Sequence, residues 1–175
     1  MREQSPKPSS FEELALPLLE RLFNFACWLT QNRDEAEDLV QESLSKALKG
    51  FSSFQPETNF RAWIYRILRN TFLTSRTGLK ASATEPLEEG GEAERLATTS
   101  TPESILLHRL DQQSLWHALE QLPVPFREIL LLREVEEMSY QEISSTLALP
   151  LGTVMSRLAR ARKTLRERLE RRERS

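Results

Sequence analysis

The chain has 175 residues, of which 39% are hydrophobic and 29% are charged, and its formal net charge at pH 7 is -2. These proportions are typical of a globular protein and do not separate an enzyme from a binding protein. Because the net charge is close to zero, nucleic-acid binding would require basic residues to be concentrated in particular segments.

Counts of cysteine and of apolar runs exclude further classes. Cys27 is the only cysteine, which rules out an internal disulfide framework and a multi-cysteine zinc site. We expect its side chain to be buried as a small hydrophobe. No apolar run approaches the roughly 18 residues of a membrane span, and the first ten residues lack the apolar core of a signal peptide. The sequence therefore predicts a cytoplasmic protein.

The N-terminal part predicts a flexible tail followed by two helices. Residues 1–10 contain two prolines and three serines without an apolar period. Over 11–29 apolar residues recur near helical spacing, and Pro17 must either start or kink that helix. The next helix, 34–50, begins with carboxylates that suit the positive end of the helix dipole and stops at Gly50. Its predicted apolar face comprises Ala36, Leu39, Val40, Ser43, Leu44, Ala47 and Leu48.

A third helix is predicted from about 59 to 75. Arginines and aromatic residues are interleaved along it, a composition that suits a strand of nucleic acid whose bases stack while its phosphates are neutralised. Such aromatic residues more often belong to a hydrophobic core, and we expect Trp63 and Ile67 to lie there. The pattern leaves the roles of Phe60, Tyr65 and Phe72 open.

The second half predicts a linker and another helical unit. Gly, Ser, Thr, Ala and Glu dominate residues 78–101, which indicates a flexible acidic linker. Thr101 followed by Pro102 is a helix start signal; this helix is predicted to run to Leu122, and a further one from about 126 to 136. No segment has the alternating pattern of a strand. We therefore predict an all-α fold of two small helical domains, 11–77 and 102–175.

Two helices joined by a tight turn are predicted over 139–169. Ser139 and Glu142 have the spacing of a capping box, and Pro150 and Gly152 then interrupt the pattern. Beyond them an apolar face recurs at helical spacing, while from Arg157 to Arg174 nine Lys or Arg stand against three Glu. This pattern indicates a helix-turn-helix whose second helix lies in the major groove of DNA. The alternative is a solvated helix surface with salt bridges.

Motifs for catalysis or metal binding are missing from the sequence. His108 and His117 lack the spacing of helix-borne metal ligands, and there is no Gly-rich phosphate loop, Gly-x-Ser-x-Gly or Cys-His pairing. The acidic run from Asp34 to Glu42 has no histidine partners. We therefore expect no catalytic residues, no metal site and no cofactor, and we do not expect an enzyme.

Three segments follow one another in a diagnostic order: DEAEDLVQESLSKALKGF, then NFRAWIYRILRNTF, and after the linker LPVPFREILLLREVEEMSYQEISSTLALPLGTVMSRLARARKTL. In this order they closely resemble the ECF (extracytoplasmic function) sigma factors of bacterial RNA polymerase. The resemblance covers about 11–77 and 101–172. It implies a sigma factor that binds core RNA polymerase, directs initiation at promoter DNA and is controlled by an anti-sigma factor.

The resemblance also implies roles for individual residues. Region 2 of the family corresponds to 11–77, and its polymerase-binding positions match Asp38, Leu39, Gln41, Glu42 and Leu44. The part that reads and melts the minus-10 element matches Phe60, Arg61, Arg66, Arg69, Asn70, Thr74 and Arg76; within it, Phe60 and Thr74 make or support a pocket for a flipped base. Region 4 corresponds to 102–175, and its contacts to the minus-35 element match Met155, Ser156, Arg157, Ala159, Arg160, Arg162 and Lys163.

Three positions depart from the family pattern. Met155 stands where lysine or arginine is common, Ala148 occupies a turn where glycine is frequent, and Thr74 replaces Asp or Asn. Two other functions are consistent with the residues alone. One is a stand-alone helix-turn-helix regulator whose first unit senses a signal or dimerises, and the other is an RNA-binding helical protein.

Overall fold

The computed structural model of the chain describes residues 10–82 and 112–173, with side chains over 10–77 and 112–171. The regular elements in these ranges are all helices, as the sequence predicted, and they form two units. The predicted tail up to residue 9, the linker from residue 83 and the Thr101 helix start lie outside the described residues.

The first unit begins with a helix that Pro17 divides. Helix α1 (Phe11–Ala15) starts with a capping box in which the Ser10 and Glu13 backbone N–H groups each donate to the other's side chain at 3.2 Å. Ser10 is therefore a helix cap. A 3₁₀ turn, Leu16–Leu18, contains the proline, and α2 (Leu19–Thr30) follows. Pro17 sits where its missing N–H costs least, at the start of the turn.

Two long helices complete the first unit. Helix α3 (Arg33–Gly50) is capped by Asn32, whose Oδ1 accepts from the Glu35 N–H at 3.0 Å. Helix α4 (Phe60–Ser82) continues seven residues past the predicted end at 75. Helices α2, α3 and α4 pack on one another. The largest fully buried side chains between them are Leu22, Phe25, Leu29, Ile64, Tyr65 and Leu68. Burial of each leucine, isoleucine or phenylalanine side chain stabilises the fold by about 1.5–3 kcal/mol.

The core of the first unit differs in detail from the prediction. Tyr65 and Phe72, whose roles were open, are buried, whereas Trp63 and Ile67 are only half-buried. Leu48 was predicted on the apolar face of its helix, and this was wrong because 54% of it is exposed. The Cys27 side chain is half-buried rather than fully buried. The helical period gives the direction of each side chain, but the depth of burial depends on the partner helices.

The second unit begins with helical residues 112–120, here α5, and α6 (Val124–Leu130), which starts two residues before the predicted position. Arg127 is 5% exposed and joins these helices. Its guanidinium donates to the carbonyl oxygens of Leu119 at 3.1 Å, Glu120 at 2.7 Å and Leu122 at 3.1 Å. The Leu119 oxygen also accepts the Leu122 N–H at 3.0 Å, so Arg127 is a second donor there and supplies side-chain donors to the Glu120 and Leu122 carbonyls after the last turn of α5.

Helix α6 widens into a π-helical turn, Leu131–Val135, in which the Glu136 N–H donates to the Leu131 oxygen five residues back at 2.9 Å. Helix α7 (Tyr140–Leu147) has the predicted capping box: the Ser139 N–H donates to Glu142 at 2.6 Å, and the Glu142 N–H donates to Ser139 Oγ at 3.1 Å. Ala148 then takes a left-handed conformation, with φ 52°. This is the conformation that glycine adopts without strain, so the frequent glycine at this turn has a backbone reason.

Helix α8 (Leu151–Glu173) begins directly after Pro150. Val154, Leu158 and Ala161 are at most 1% exposed, and the helix packs against α6. Leu165 and Leu169, the last residues of the predicted apolar face, are half-buried. The predicted helix-turn-helix is therefore present, with α7 as its first helix and α8 as its second.

Candidate nucleic-acid interface

The exposed face of α8 carries most of the residues predicted to read duplex DNA. Met155 is 53% exposed, and Ser156, Ala159, Arg160 and Lys163 are exposed with it, opposite the buried stripe of Val154 and its neighbours. An α-helix with side chains is about 10–12 Å across, close to the width of the major groove. The helix therefore presents a recognition face of the right size, which we call the α8 face: Met155, Ser156, Ala159, Arg160 and Lys163.

Arg160 is the arginine best placed on this face to read a base. Its one polar contact among the described residues joins Nε to the Ser156 carbonyl oxygen, one turn back, at 3.4 Å. That weak contact leaves the Nη groups available to a partner. A guanidinium presented in this way can bind the O6 and N7 atoms of guanine together.

Arg162, in contrast, is engaged by another element. Its Nε and Nη2 both donate to Glu134 Oε1 on the π turn, with Nε 2.9 Å from that oxygen. The hydrogen bond to Glu134 raises the pKa of Arg162 further above its ordinary value, with a smaller contribution from Tyr140. The two side chains are 44% and 51% exposed, so the pair contributes only about 0–1 kcal/mol to stability. Arg157, at the other edge of the α8 face, is half-buried.

Helix α3 separates its predicted polymerase-binding residues into two groups. Asp38, Gln41 and Glu42 are exposed on one side, and Leu44 is half-buried. Leu39 is 5% exposed and faces the core. Sequence reasoning missed Leu48, which lies seven residues after Gln41 and so shares its side of the helix. The exposed group, Asp38, Gln41, Glu42 and Leu48, is the α3 face.

Helix α4 aligns part of the predicted minus-10 set. Arg66, Asn70 and Thr74 are exposed and lie four residues apart, which stacks them on one side of the helix. Arg61 and Arg69 are half-buried. The line of Arg66, Asn70 and Thr74, the α4 stripe, offers a cation, an amide and a hydroxyl in succession, groups able to bind phosphates and base edges.

Phe60 is placed differently from the exposed members of the minus-10 set. It is 8% exposed, and its ring centroid lies 5.4–6.2 Å from the rings of Phe11, Phe51, Phe54 and Trp63. Such edge-on and tilted contacts are favourable for aromatic rings. Phe60 therefore sits inside an aromatic cluster that joins α1, the loop after α3 and the start of α4.

Arg76 faces the helix pair α2 and α3. Its Nη2 lies 3.4 Å from the Thr30 carbonyl oxygen and 3.4 Å from Glu35 Oε2, and its guanidinium stacks 5.3 Å above the Phe72 ring centroid. These partners lie 46 and 41 residues away in the sequence. The contacts tie α4 to the turn from which α3 starts.

The described ranges hold neither a metal-ligand cluster nor a membrane-spanning helix. Residues 10–77 and 112–171 contain no group of three His, Cys, Asp or Glu side chains arranged to hold a metal ion. No described helix is both long and apolar enough to cross a membrane. Burial raises the pKa of the Cys27 thiol, and Arg33 partly opposes this effect. A raised pKa keeps the thiol protonated and poorly nucleophilic at neutral pH.

Comparisons with known proteins agree on the two units. Residues 14–81 match the model of sigma-70 region 2, and 112–165 match that of sigma-70 region 4. The ECF RNA polymerase sigma factor SigE of Mycolicibacterium smegmatis is 35% identical over 94% of this chain, which spans 63% of that relative's length. The ECF RNA polymerase sigma-E factor of Salmonella typhimurium is 34% identical, over 75% of this chain and 72% of the relative.

Solved structures give the same result at the level of the fold. The sigma factor RpoE of Bartonella quintana, solved in complex with the anti-sigma factor NepR, superimposes with a TM-score of 0.76 at 31% identity, covering 91% of this chain and 96% of that one. CnrH, solved with the cytosolic domain of CnrY, superimposes with a TM-score of 0.66 over 91% of this chain and 87% of its own, and its 24% identity is a likeness of fold alone.

Proposed function

Because this chain belongs to the ECF sigma factors of the sigma-70 family, we propose that it binds core RNA polymerase and directs it to specific promoters. It contributes binding and no chemistry of its own, and the polymerase supplies the catalytic site. Its place of action is the cytoplasm, at the nucleoid when active. The observation that carries this proposal is the α8 face, which projects from a capped helix-turn-helix opposite a fully buried stripe.

The α8 face is proposed to read the minus-35 element as duplex. Met155, Ser156, Ala159 and Arg160 face the bases, and Arg157 and Lys163 neutralise phosphates at the edges. Arg160 pairs with a guanine, which is worth about 1–3 kcal/mol of discrimination against another base. Met155 offers an apolar contact where many relatives have a cation, so this chain gains less phosphate or purine contact there and accepts a thymine methyl group instead.

The α4 stripe is proposed to hold the melted minus-10 element. Arg66, Asn70 and Thr74 are its contacts, with Arg61 and Arg69 beside them for phosphates. Phe60 and Arg76 position this surface without contacting DNA. Phe60 holds the loop before α4 through the aromatic cluster, and Arg76 anchors the helix against Thr30 and Glu35. Extruding a base costs a few kcal/mol, so a rigid surface that accepts it selects among sequences.

The α3 face is proposed to dock on core polymerase. Asp38 and Glu42 supply negative charge, Gln41 supplies hydrogen bonds, and Leu44 and Leu48 supply apolar area at the edge. Charge complementarity would direct such a face to a basic surface of the polymerase and speed association. Leu39, buried under this face, keeps α3 packed on its neighbours and contributes to docking only indirectly.

An anti-sigma factor is proposed as the partner that withholds the protein from polymerase. The structurally similar sigma factor RpoE of Bartonella quintana was solved in complex with such a partner, the anti-sigma factor NepR. Affinity capture from cells in several growth conditions tests this, because recovery of polymerase alone in all of them would contradict it.

Transcription from a promoter library by core polymerase, with and without the purified protein, tests the main proposal. Start sites that appear only with the protein, preceded by two short shared elements, are the expected result. If no start sites appeared while the protein alone bound duplex DNA, the stand-alone regulator would replace the sigma factor as the function. Retention of RNA in preference to duplex would favour the RNA-binding alternative.

A further inference from the structure

Two arginines of α8 that are close in sequence, Arg160 and Arg162, have different hydrogen-bond partners. Among the described residues, the polar contact of the Arg160 side chain is with the Ser156 carbonyl oxygen of its own helix, at 3.4 Å. Arg162 donates two hydrogen bonds to one carboxylate oxygen of Glu134, 28 residues earlier on the π turn. The sequence alone gives both residues the same character, so the difference arises from the packing of α6 and its π turn against α8.

Arg162 is positioned where DNA phosphates could reach it. It follows Met155 by seven residues, two helical turns, so the two side chains leave α8 in nearly the same direction. Met155 belongs to the α8 face and is 53% exposed, and Arg162 is itself 44% exposed. Arg162 therefore lies at the border of the surface that approaches DNA.

We propose that Glu134 limits the sequence-independent affinity of α8 for DNA, because it neutralises Arg162 and so withholds one cation from the phosphates; this inference rests on the proposed function of α8. A carboxylate and a phosphate present similar pairs of acceptor atoms to a guanidinium. With Glu134 in place, Arg162 releases no counterion when the protein binds DNA. An arginine without this carboxylate would strengthen binding to every sequence equally, which raises affinity without improving discrimination between sequences.

The charge effect outweighs any structural one. Exposed ion pairs stabilise proteins little, and α8 is already anchored by the buried Val154, Leu158 and Ala161. A full phosphate contact, in contrast, changes the dependence of log affinity on log salt by about 0.9. Between 50 and 200 mM salt this is about a 3- to 4-fold difference in the loss of affinity.

The experiment measures the salt dependence of promoter binding by the full-length protein reconstituted with core RNA polymerase. Two DNA fragments are used, one carrying the selected promoter and one with its upstream element scrambled. The variants are Glu134→Gln, Arg162→Gln and the double variant. Glu137→Gln is the matched control, because Glu137 is a nearby exposed carboxylate and its change alters the net charge equally.

We expect Glu134→Gln to steepen the salt dependence by about 0.9 on both fragments and the double variant to match the wild type. Arg162→Gln alone leaves Glu134 as an unpaired carboxylate, so it should weaken binding to both fragments by charge repulsion. An unchanged slope for Glu134→Gln would overturn the proposal, as would an equal effect of Glu137→Gln or an effect that persists without Arg162. A double variant with a shallower slope than the wild type would also overturn it, because Arg162 would then already contact phosphate. A wild-type complex without preference for the intact fragment would instead refute the proposed function, while the slopes still decide the role of Glu134.

Discussion

Replacing Ala148 by glycine should stabilise the second unit, because this alanine has φ 52° in the turn of the helix-turn-helix. The left-handed conformation costs a non-glycine residue about 1–2 kcal/mol. Glycine removes that cost but loses about 0.4–1 kcal/mol through the greater freedom of the unfolded chain. The expected net gain in the free energy of unfolding is about 0.5–1 kcal/mol.

Urea unfolding of the full chain measures this gain. Trp28 and Trp63 belong to the first unit, so replacing both by phenylalanine leaves Trp116 as the fluorescent reporter of the second unit. For a slope of about 1 kcal/mol/M, the unfolding midpoint should rise by about half a molar or more. The turn itself should persist, since its Leu149 N–H bond to the Ser144 oxygen at 3.1 Å involves only the backbone.

Ala159→Gly is the matched control for this substitution. Ala159 is exposed within α8, where glycine costs about 0.5–1 kcal/mol relative to alanine. The control should therefore lower the midpoint while Ala148→Gly raises it. If both substitutions lowered the midpoint, the left-handed conformation of Ala148 would not be a source of strain, and the reasoning would be refuted.

Three further predictions concern the α8 face, the buried Arg127 and the α3 face. Arg160→Ala should relax base preference at one position of the upstream element by about 1–3 kcal/mol, measured by selection from a promoter library, whereas Lys163→Ala should weaken all sequences and reduce the salt slope by about one. Arg127→Ala should destabilise the second unit by about 1–3 kcal/mol, since the buried Leu122 carbonyl loses its side-chain donor, and the Trp116 transition would report this. Asp38→Lys should reduce affinity for core polymerase in a binding titration through like-charge repulsion, whereas Leu39→Ala should lower the free energy of unfolding of the first unit by about 2–5 kcal/mol.

Particular outcomes would contradict these three predictions. Uniform loss across the library for Arg160→Ala would remove its role in reading a base. An unaltered Trp116 transition in Arg127→Ala would mean that the end of α5 does not need its three side-chain hydrogen bonds. If the Asp38→Lys variant folds like the wild type and binds polymerase with unchanged affinity, Asp38 does not belong to the docking surface.

Local sequence signals predicted the helices well where the signals were themselves local. The capping box of Ser139 and Glu142 was confirmed because both residues lie within one turn of the backbone they cap. Pro17 and Pro150 broke helices where a ring without an N–H must. The period of Val154, Leu158 and Ala161 correctly identified the buried side of α8. Family and function followed from the order of such segments.

Other features of the candidate surfaces depend on contacts between residues far apart in the chain. The pairing of Arg162 with Glu134 spans 28 residues, and that of Arg76 with Glu35 spans 41. Nothing in the residue type distinguishes Arg162 from Arg160, whose side chain bonds only to a backbone oxygen of its own helix. Leu39 and Leu48 likewise look equivalent as leucines of one helix, yet one is 5% and the other 54% exposed.

The reason for this division is physical. Backbone hydrogen bonds, caps and helical periodicity act over about four residues, so the one-dimensional sequence contains enough information to place helices and their apolar sides. Whether a charged side chain remains available to DNA depends on which opposite charge the packed helices bring within hydrogen-bonding distance, and whether a leucine is covered depends on where the neighbouring helix ends. Those distances exist only once the helices of each unit have packed together.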